Sequence, residues 1–494
     1  MAKEGNLEES VKGTIWMSLG SLANYAINLL ATYVLARLLS AADYGEVSAV
    51  TVLTGFADIF WQIGVGQALI QKKDLSKNDI TTGFYINSGL CLLIFTILEV
   101  FAPFWSKVFS ISSVKMLRVY TLIYIINGAL AIPLALAQRN MRFKFVAIVE
   151  VVANVFWGVT VVMLAFLNWG PWALVAGSLV RYTVKAIVIN SKERISYDPR
   201  LCRKDSLVQL LNFGGGFTIA KAFNYIANNG DYFVINKTLG KVDLGNYQKS
   251  YNLMMYPANL VGSNLESVFF PVFSRNQSDR ERLGRAFSAC NVLIELVTIP
   301  ISLVAFYVAE PLILFFLGSK WENVIPAFRI MIVGLFFRTA YKLSIALLKA
   351  QGKVYQNAVI QGIYAALVVG GAYIGHFWGL PGVAYGITLA FTANYFMLLF
   401  TNNHFIRFGI AHFVRDVMIP LIYAVVIIIF APLLSDIWML PQSDFLKCVV
   451  CTVIVFSIYF LEYLITHKIV FSKEVDETIV RTGKSIGAKL LRKK

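Results

Sequence analysis

The stretch Gly13–Gly45 is written a second time at Phe213–Gly245, with about a third identity over the ungapped 22 residues from Asn24 to Gly45. Slid by 200 places, Asn24, Tyr25, Asn28, Val34, Leu39, Asp43 and Gly45 fall on Asn224, Tyr225, Asn228, Val234, Leu239, Asp243 and Gly245. Arg37 meets Lys237 and Tyr33 meets Phe233. An apolar composition alone would match Leu or Val, but not Asn, Tyr, Asp and Gly. Further along, Trp169-Gly170 is echoed by Trp378-Gly379, Gly177 by Gly386, and Ala137-Gln138 by Ala350-Gln351. A long-period repeat means that one structural unit has been used twice.

The solvent for that unit follows from composition. Of 494 residues, 57% are hydrophobic and 15% charged, against about 25% charged in soluble domains. A helix needs about 20 apolar residues to cross the hydrocarbon of a bilayer. Windows of that size predict spans at 13–36, 44–70, 81–104, 116–138, 145–168 and 170–190, then 206–230, 243–272, 286–308, 325–348, 355–377 and 380–401. Two more fall at 413–434 and 445–466. The expected fold is an all-α polytopic membrane protein of about fourteen transmembrane helices. The polar start MAKEGNLEESVK before a long apolar run predicts a retained span rather than a cleaved signal.

Charge sets the orientation. With the N-terminus in the cytoplasm, 29 Lys and Arg fall on inner loops and tails and eight on outer loops, the bias that short cytoplasmic loops carry. Both termini are therefore placed in the cytoplasm. Trp105, Trp169, Trp172, Trp321, Trp378 and Trp438 fall at outer ends, as an interfacial belt. The net charge of +16 belongs to these loops, so nucleic acid is not an expected partner. Both copies start on the same side, which makes them parallel repeats. Two six-helix lobes around a central cavity, 1–190 and 206–402, joined by a linker at 191–205, would rock to give alternating access. The pair in 413–466 is an appendage. The basic tail 467–494 is either an interfacial amphipathic helix or a solvated tail.

Seven basic residues remain at membrane depth: Arg181, Lys185, Lys221, Lys249, Arg329, Arg338 and Lys342. Arg181/Lys185 and Arg338/Lys342 are spaced i, i+4, so each pair leaves one helical face. Like charges on one face repel unless an anion or carboxylates stand between them. A phosphate or pyrophosphate would satisfy Arg forks and Lys point charges. The alternative is internal pairing with Asp58, Glu99, Glu150, Asp231, Glu266 or Glu295. Asp58 and Glu295, both mid-span, are the candidates for binding a coupling H+ or Na+, or else for pairing with a neighbouring cation. Asn24/Asn28 and Asn224/Asn228 each lie one turn apart, suiting an inter-lobe gate, a sugar-facing wall or helix–helix hydrogen bonds. The five cysteines and four histidines show no metal-ligand spacing. No metal or cofactor is expected. The outer loops are too small and apolar for a catalytic site, so no enzyme activity is expected either.

The stretch LARLLSAADYGEVSAVTVLTGFADIFWQIGVGQALIQ closely resembles the opening hairpin of bacterial polysaccharide (oligosaccharide-lipid) flippases of the MATE-like superfamily. QRNMRFKFVAIVEVV, PLILFFLGSKWENVIPAFRIM and LLKAQGKVYQNAVI continue the likeness over roughly residues 10–400. The resemblance is to the subgroup handling capsule, colanic-acid or teichuronic-type repeat units. It implies two six-helix lobes plus two helices, and movement of undecaprenyl-pyrophosphate-linked oligosaccharide to the outer leaflet of the bacterial inner membrane. It also implies cavity cations that hold the pyrophosphate and an ion gradient that resets the cycle. On that basis Lys221, Arg338, Lys342 and Arg181 are expected to hold the diphosphate. The expected partners are the lipid-linked oligosaccharide, membrane lipids and glycan polymerase machinery. Lipid II flippases of the superfamily tend to carry arginines in the first span, and here none precedes Arg37. The rivals are a cation-coupled drug exporter on the same scaffold, a glycan polymerase or ligase, and a scaffold for the synthesis machinery.

Overall fold

The computed structural model describes residues 2–61, 65–72, 74–193, 198–262, 273, 279–406, 450 and 452–462. All regular structure among them is helical, and two compact units divide the chain after Gln248.

The first unit, Met1–Gln248, begins with α1 (Ala2–Leu38) and α2 (Ala41–Trp61). There follow α3 (Val65–Gln71), α4 (Lys77–Val100), α5 (Ala102–Val108), α6 (Val114–Thr121) and α7 (Ile123–Arg139). Then come α8 (Phe143–Phe166), α9 (Pro171–Lys192), α10 (Lys204–Thr238) and the start of α11 (Lys241–Gly262). Lipid gives no hydrophobic drive between helices, so close backbone approach at small residues must hold them together. The α8–α9 contact shows this: a Cβ on Gly177 would lie 2.1 Å from Val161 Cγ2. Between α4 and α7, the Ser88 hydroxyl donates to the Gly128 carbonyl at 3.0 Å. Arg139 closes the end of α3, donating to the Leu69 and Ile70 carbonyls at 2.6 and 2.8 Å, carbonyls left over at a helix C-terminus.

The first helix of the second copy is part of this unit. α10 packs on α2, α3 and α4. Its N-terminal end is tied down by Ser206, which donates to Asp79 at 2.7 Å, and by the Arg203 amide, which donates to Thr82 at 3.1 Å. Midway, Tyr225 donates to the Val52 carbonyl at 2.7 Å. Near its C-terminal end, Asn236 reaches the Phe109 carbonyl at 2.5 Å.

The second unit, Lys249–Lys494, holds the rest of α11, α12 (Arg280–Tyr307), α13 (Ala309–Phe316), α14 (Val324–Val333) and α15 (Leu335–Ala350). It continues through α16 (Val354–Gly375), α17 (Gly379–Ile406) and a short α18 (Thr452–Glu462). Its core joins α12, α15 and α17 through Phe287, Phe336, Leu343 and Tyr395, and α18 adds Val455 and Tyr459. α14 and α15 are two helices bent by 46° at Gly334, within the stretch 325–348 that hydropathy predicts as a single span.

Seven described helical segments are long and apolar enough to cross a membrane, or eight with the bent pair. α2, α10 and α11 are not among them, being more polar, although the hydropathy reading gave each a span. The predicted span 413–434, most of 445–466 and the tail 467–494 lie outside the described residues. Of the expected tryptophan belt, Trp169 and Trp378 are exposed, but Trp321 is fully buried. It packs as a core residue with Lys249 Nζ 5.6 Å above its ring.

Candidate functional site

Each unit carries polar side chains at membrane depth. In the first, a cavity of about 300 Å³ is lined by Asp58, Trp61, Asn87, Asn127, Gln138, Tyr182 and Lys185, with apolar residues between them. Trp61 Nε1 donates to Asp58 Oδ1 at 2.8 Å. The hydroxyls of Tyr120, Tyr124, Tyr182 and Tyr225 all lie within electrostatic range of Asp58. Amides, phenols and an indole around one carboxylate offer both donors and acceptors to a hydroxyl-rich ligand.

Arg181 and Lys185 leave α9 on one face, as their spacing predicts, and both meet Glu150 of α8. Lys185 Nζ is 2.5 Å from Glu150 Oε1, and Arg181 Nη2 is 3.7 Å from Oε2. The carboxylate between the two cations is the alternative that the spacing left open. Lys185 is therefore part of the cavity wall with its charge already opposed.

The asparagines of α1 face α8. Asn154, fully buried, points its amide at the Asn24 carbonyl and at Asn28 Oδ1, at 3.4 and 3.5 Å. On α10, Asn228 donates to the Asn224 carbonyl at 2.6 Å, and Asn224 is exposed. Lys221 falls on α10, and its side chain lies outside the described residues, as does Glu266.

In the second unit the i, i+4 pair on α15 faces α11. Arg338 is 5% exposed, and its Nη2 donates to the Tyr251 hydroxyl at 2.9 Å. Its guanidinium lies 5.1 Å from the ring centroids of both Tyr341 and Phe391. Lys342 Nζ lies 3.4 Å from Asn259 Oδ1, two turns along α11 from Tyr251. Arg338 is in the first turn of α15, just past the break at Gly334, where the half-helix N-terminus adds its own positive field. Broken spans at binding sites are a recurring device of transporters. Arg329, one of the seven cations, instead meets Glu310 at 3.7 Å.

Glu295 is on α12, fully buried, and neither carboxyl oxygen has a hydrogen-bond partner among the described residues. Asp58 and Glu295 are thus in different units. Sequence reasoning passed over Asp79, which is 2% exposed and gathers Lys72 at 2.7 Å, Ser76 and Ser206. Ser76-x-x-Asp79 is a capping box and was a readable signal. It also passed over the Tyr251–Tyr341–Phe391 surround of Arg338, which comes from three helices and has no local pattern.

A family model described as polysaccharide biosynthesis protein matches residues 34–326. The lipopolysaccharide biosynthesis protein WzxC of Escherichia coli (strain K12) is 24% identical over 396 residues, 78% of either chain. The succinoglycan biosynthesis transport protein ExoT of Rhizobium meliloti (strain 1021) is 24% identical over 357 residues, covering 72% of this chain and 71% of that one. The teichuronic acid biosynthesis protein TuaB of Bacillus subtilis (strain 168) is 21% identical over 433 residues, covering 84% and 86%. Among solved structures, the lipid II flippase MurJ in its inward closed conformation aligns with a TM-score of 0.75 at 16% identity, covering 92% of this chain and 99% of that one. An inward-facing MATE multidrug resistance transporter of the MOP superfamily aligns at 0.63 and 16% identity, covering 78% and 94%. At such identities the structural likeness speaks for the fold.

Proposed function

This chain belongs to the polysaccharide biosynthesis protein family, a family of multi-pass membrane proteins, and from that premise we propose that it is a flippase for lipid-linked oligosaccharides. It takes undecaprenyl-pyrophosphate-linked repeat units from the cytoplasmic leaflet of the bacterial inner membrane and releases them outward by alternating access. It does so without making or breaking a covalent bond. The fourteen-span, two-lobe arrangement with both termini in the cytoplasm belongs to this reading.

The observation that carries the reading is the Arg338–Lys342 pair. One face of one helix presents a buried guanidinium and an ammonium, beside the neutral Tyr251 hydroxyl and Asn259 amide. A diphosphate is dianionic or more, and it matches a forked donor beside a point charge. Lys221, and Arg181 through its shared Glu150, are secondary contributors. The polar wall of the first-unit cavity, with Asp58, Asn87, Asn127 and Gln138, suits sugar hydroxyls, and Asn24, Asn28, Asn224 and Asn228 extend the polar surface of the two repeated helices. A coupling H+ or Na+ is assigned to Asp58 or Glu295. Glycan polymerase machinery would receive the product.

Replacing Arg338 and Lys342 together with Ala tests the reading. Surface-glycan export stops while the protein still inserts, and the lipid-linked oligosaccharide accumulates in the inner leaflet. Normal export from the double variant would refute the role given to this pair. Analysis of the accumulated lipid in a deletion strain identifies the repeat unit.

A further inference from the structure

Along α12, Asn291, Glu295, Thr298 and Ser302 recur at steps of four, three and four, so they lie on one helical face. All four are buried: three are fully inaccessible and Ser302 is 8% exposed. They run through an otherwise apolar span packed against Phe336, Leu343 and Tyr395. Buried polar groups are ordinarily hydrogen-bonded, and these four follow different courses. Asn291 accepts from the Tyr395 hydroxyl at 3.1 Å and donates to the Phe287 carbonyl at 2.9 Å. Thr298 donates to the Ile294 carbonyl at 2.9 Å. Ser302 Oγ and both oxygens of Glu295 have no partner among the described residues.

An ionised carboxylate left in such a place is among the costliest arrangements in a membrane protein. Among the described residues, the cations on the helices packed against α12 are engaged elsewhere. On α15, Arg338 is bonded to Tyr251, and Lys342 lies against Asn259. Arg329 of α14 meets Glu310 of α13. On α18 the titratable residues are Tyr459 and Glu462. Tyr395 of α17 is a titratable side chain within electrostatic reach of Glu295, and its hydroxyl is committed to Asn291. A metal cation would need about six oxygen ligands drawn together; along this stripe Asn291 Oδ1 is held by Tyr395 and the Thr298 hydroxyl by the Ile294 carbonyl.

We propose that Glu295 is a proton-binding site, its carboxylate taking up H+ to become a neutral acid when α12 is packed as it is here, and releasing it when that packing opens. The polar stripe Asn291–Thr298–Ser302 marks the path along which the proton reaches it. The same site communicates with the anion-binding pair. Tyr395 lies with its ring 5.3 Å from Phe336 and 5.5 Å from Phe337, the two residues before Arg338. One turn earlier on α17, Phe391 stacks on Arg338 itself. Protonation of Glu295 therefore acts on the helix that carries Arg338. This coupling to export rests on the flippase reading, whereas the proton site does not.

The test is carbodiimide labelling of the full-length protein in membranes, read by peptide mass spectrometry. Dicyclohexylcarbodiimide adds to a protonated carboxyl in apolar surroundings and rearranges to a stable N-acylurea. The adduct is expected on Glu295 in the wild type, reduced at alkaline pH, unaffected by sodium, and absent from Glu295→Gln. Protection by sodium would identify a metal-ion site and overturn the proposal, as would failure to label Glu295. For the coupling, Glu295→Gln, or Glu295→Asp if the first variant is not inserted, is expected to lower export at least tenfold and to abolish its response to an uncoupler. Export with a wild-type uncoupler response overturns the coupling. The labelling needs no glycan, so it stands even if the Arg338/Lys342 variant were to export normally.

Discussion

Gly45 and Gly245, matching residues of the two copies, face each other's helices reciprocally. A Cβ on Gly45 would fall 1.7 Å from the Lys241 carbonyl oxygen, and one on Gly245 would fall 1.9 Å from that of Ala41. The N-terminal turns of α2 and α11 are thus in backbone contact about a local two-fold relation. Glu46 adds an ion pair to Lys241 at 3.6 Å, and Lys241 also reaches Ser112 at 3.4 Å. On the topology proposed above, this contact lies at the outer ends of these helices. It is where an alternating-access protein closed to the outside would be sealed.

Gly45→Val tests the seal. Branched side chains cannot be placed against a carbonyl at that distance, and overpacking of this kind typically costs about 1–3 kcal/mol. A cysteine introduced at Ser112 is expected to react several-fold faster with a membrane-impermeant maleimide in the Gly45→Val background. An unchanged labelling rate would refute the contact.

Arg338→Lys and Arg338→Ala separate charge from shape. Lys keeps the charge but loses the fork, and a charge-assisted hydrogen bond contributes about 1.5–3 kcal/mol. Arg338→Lys is expected to keep a measurable fraction of export, while Arg338→Ala falls roughly 10–100-fold, at about 1.4 kcal/mol per tenfold. Quantifying exported glycan against inserted protein decides it.

Glu150 and Lys185 form a pair that a double-mutant cycle can weigh. Glu150 is 27% exposed at its side chain and Lys185 12%, so the coupling should fall between an exposed and a buried pair, at about 2 kcal/mol. Thermal unfolding of Glu150→Gln, Lys185→Met and the double variant gives the number. The double variant should be more stable than Glu150→Gln alone, because it no longer leaves Lys185 without its counter-charge.

Gly334→Ala probes the bend between α14 and α15. The added methyl would meet Thr388 Cγ2 at 3.0 Å, and it removes the freedom that a glycine gives at a kink. Export is expected to slow by about an order of magnitude, as hinge substitutions do, while the amount of inserted protein is unchanged.

Much of this was readable before any coordinates. The copy at Asn224–Gly245 marks α1 and α10 as equivalent helices, and it repeats Asp43, a residue type suited to helix N-termini. Asp43 closes a box with Ser40, whose hydroxyl is 2.7 Å from its carboxylate. In the second copy Asp243 keeps its place in the first turn of α11, but Gly240, at φ +89°, stands where Ser40 would be. The rest depends on partners remote in sequence. Glu150 meets Arg181 and Lys185 from another helix, and no spacing rule links them. Asn154 lies 126 residues from Asn28, so the choice between a sugar-facing wall and helix contact could not be made from α1 alone. The bend at Gly334 hides in a run of unbroken hydropathy, because hydropathy measures solvent preference and is blind to backbone direction.

The docking of α10 on α2, α3 and α4 has a consequence for biosynthesis. On paper the loop at 191–205 separates the copies, and a gene split there would look harmless. Yet Asp79 waits for Ser206, and the Val52 carbonyl for Tyr225, so a ribosome that has finished the first copy has not finished the first folded body. The nascent chain must hold those helices incomplete until α10 is delivered. A fragment ending at the loop would be released with that surface open to quality-control proteases.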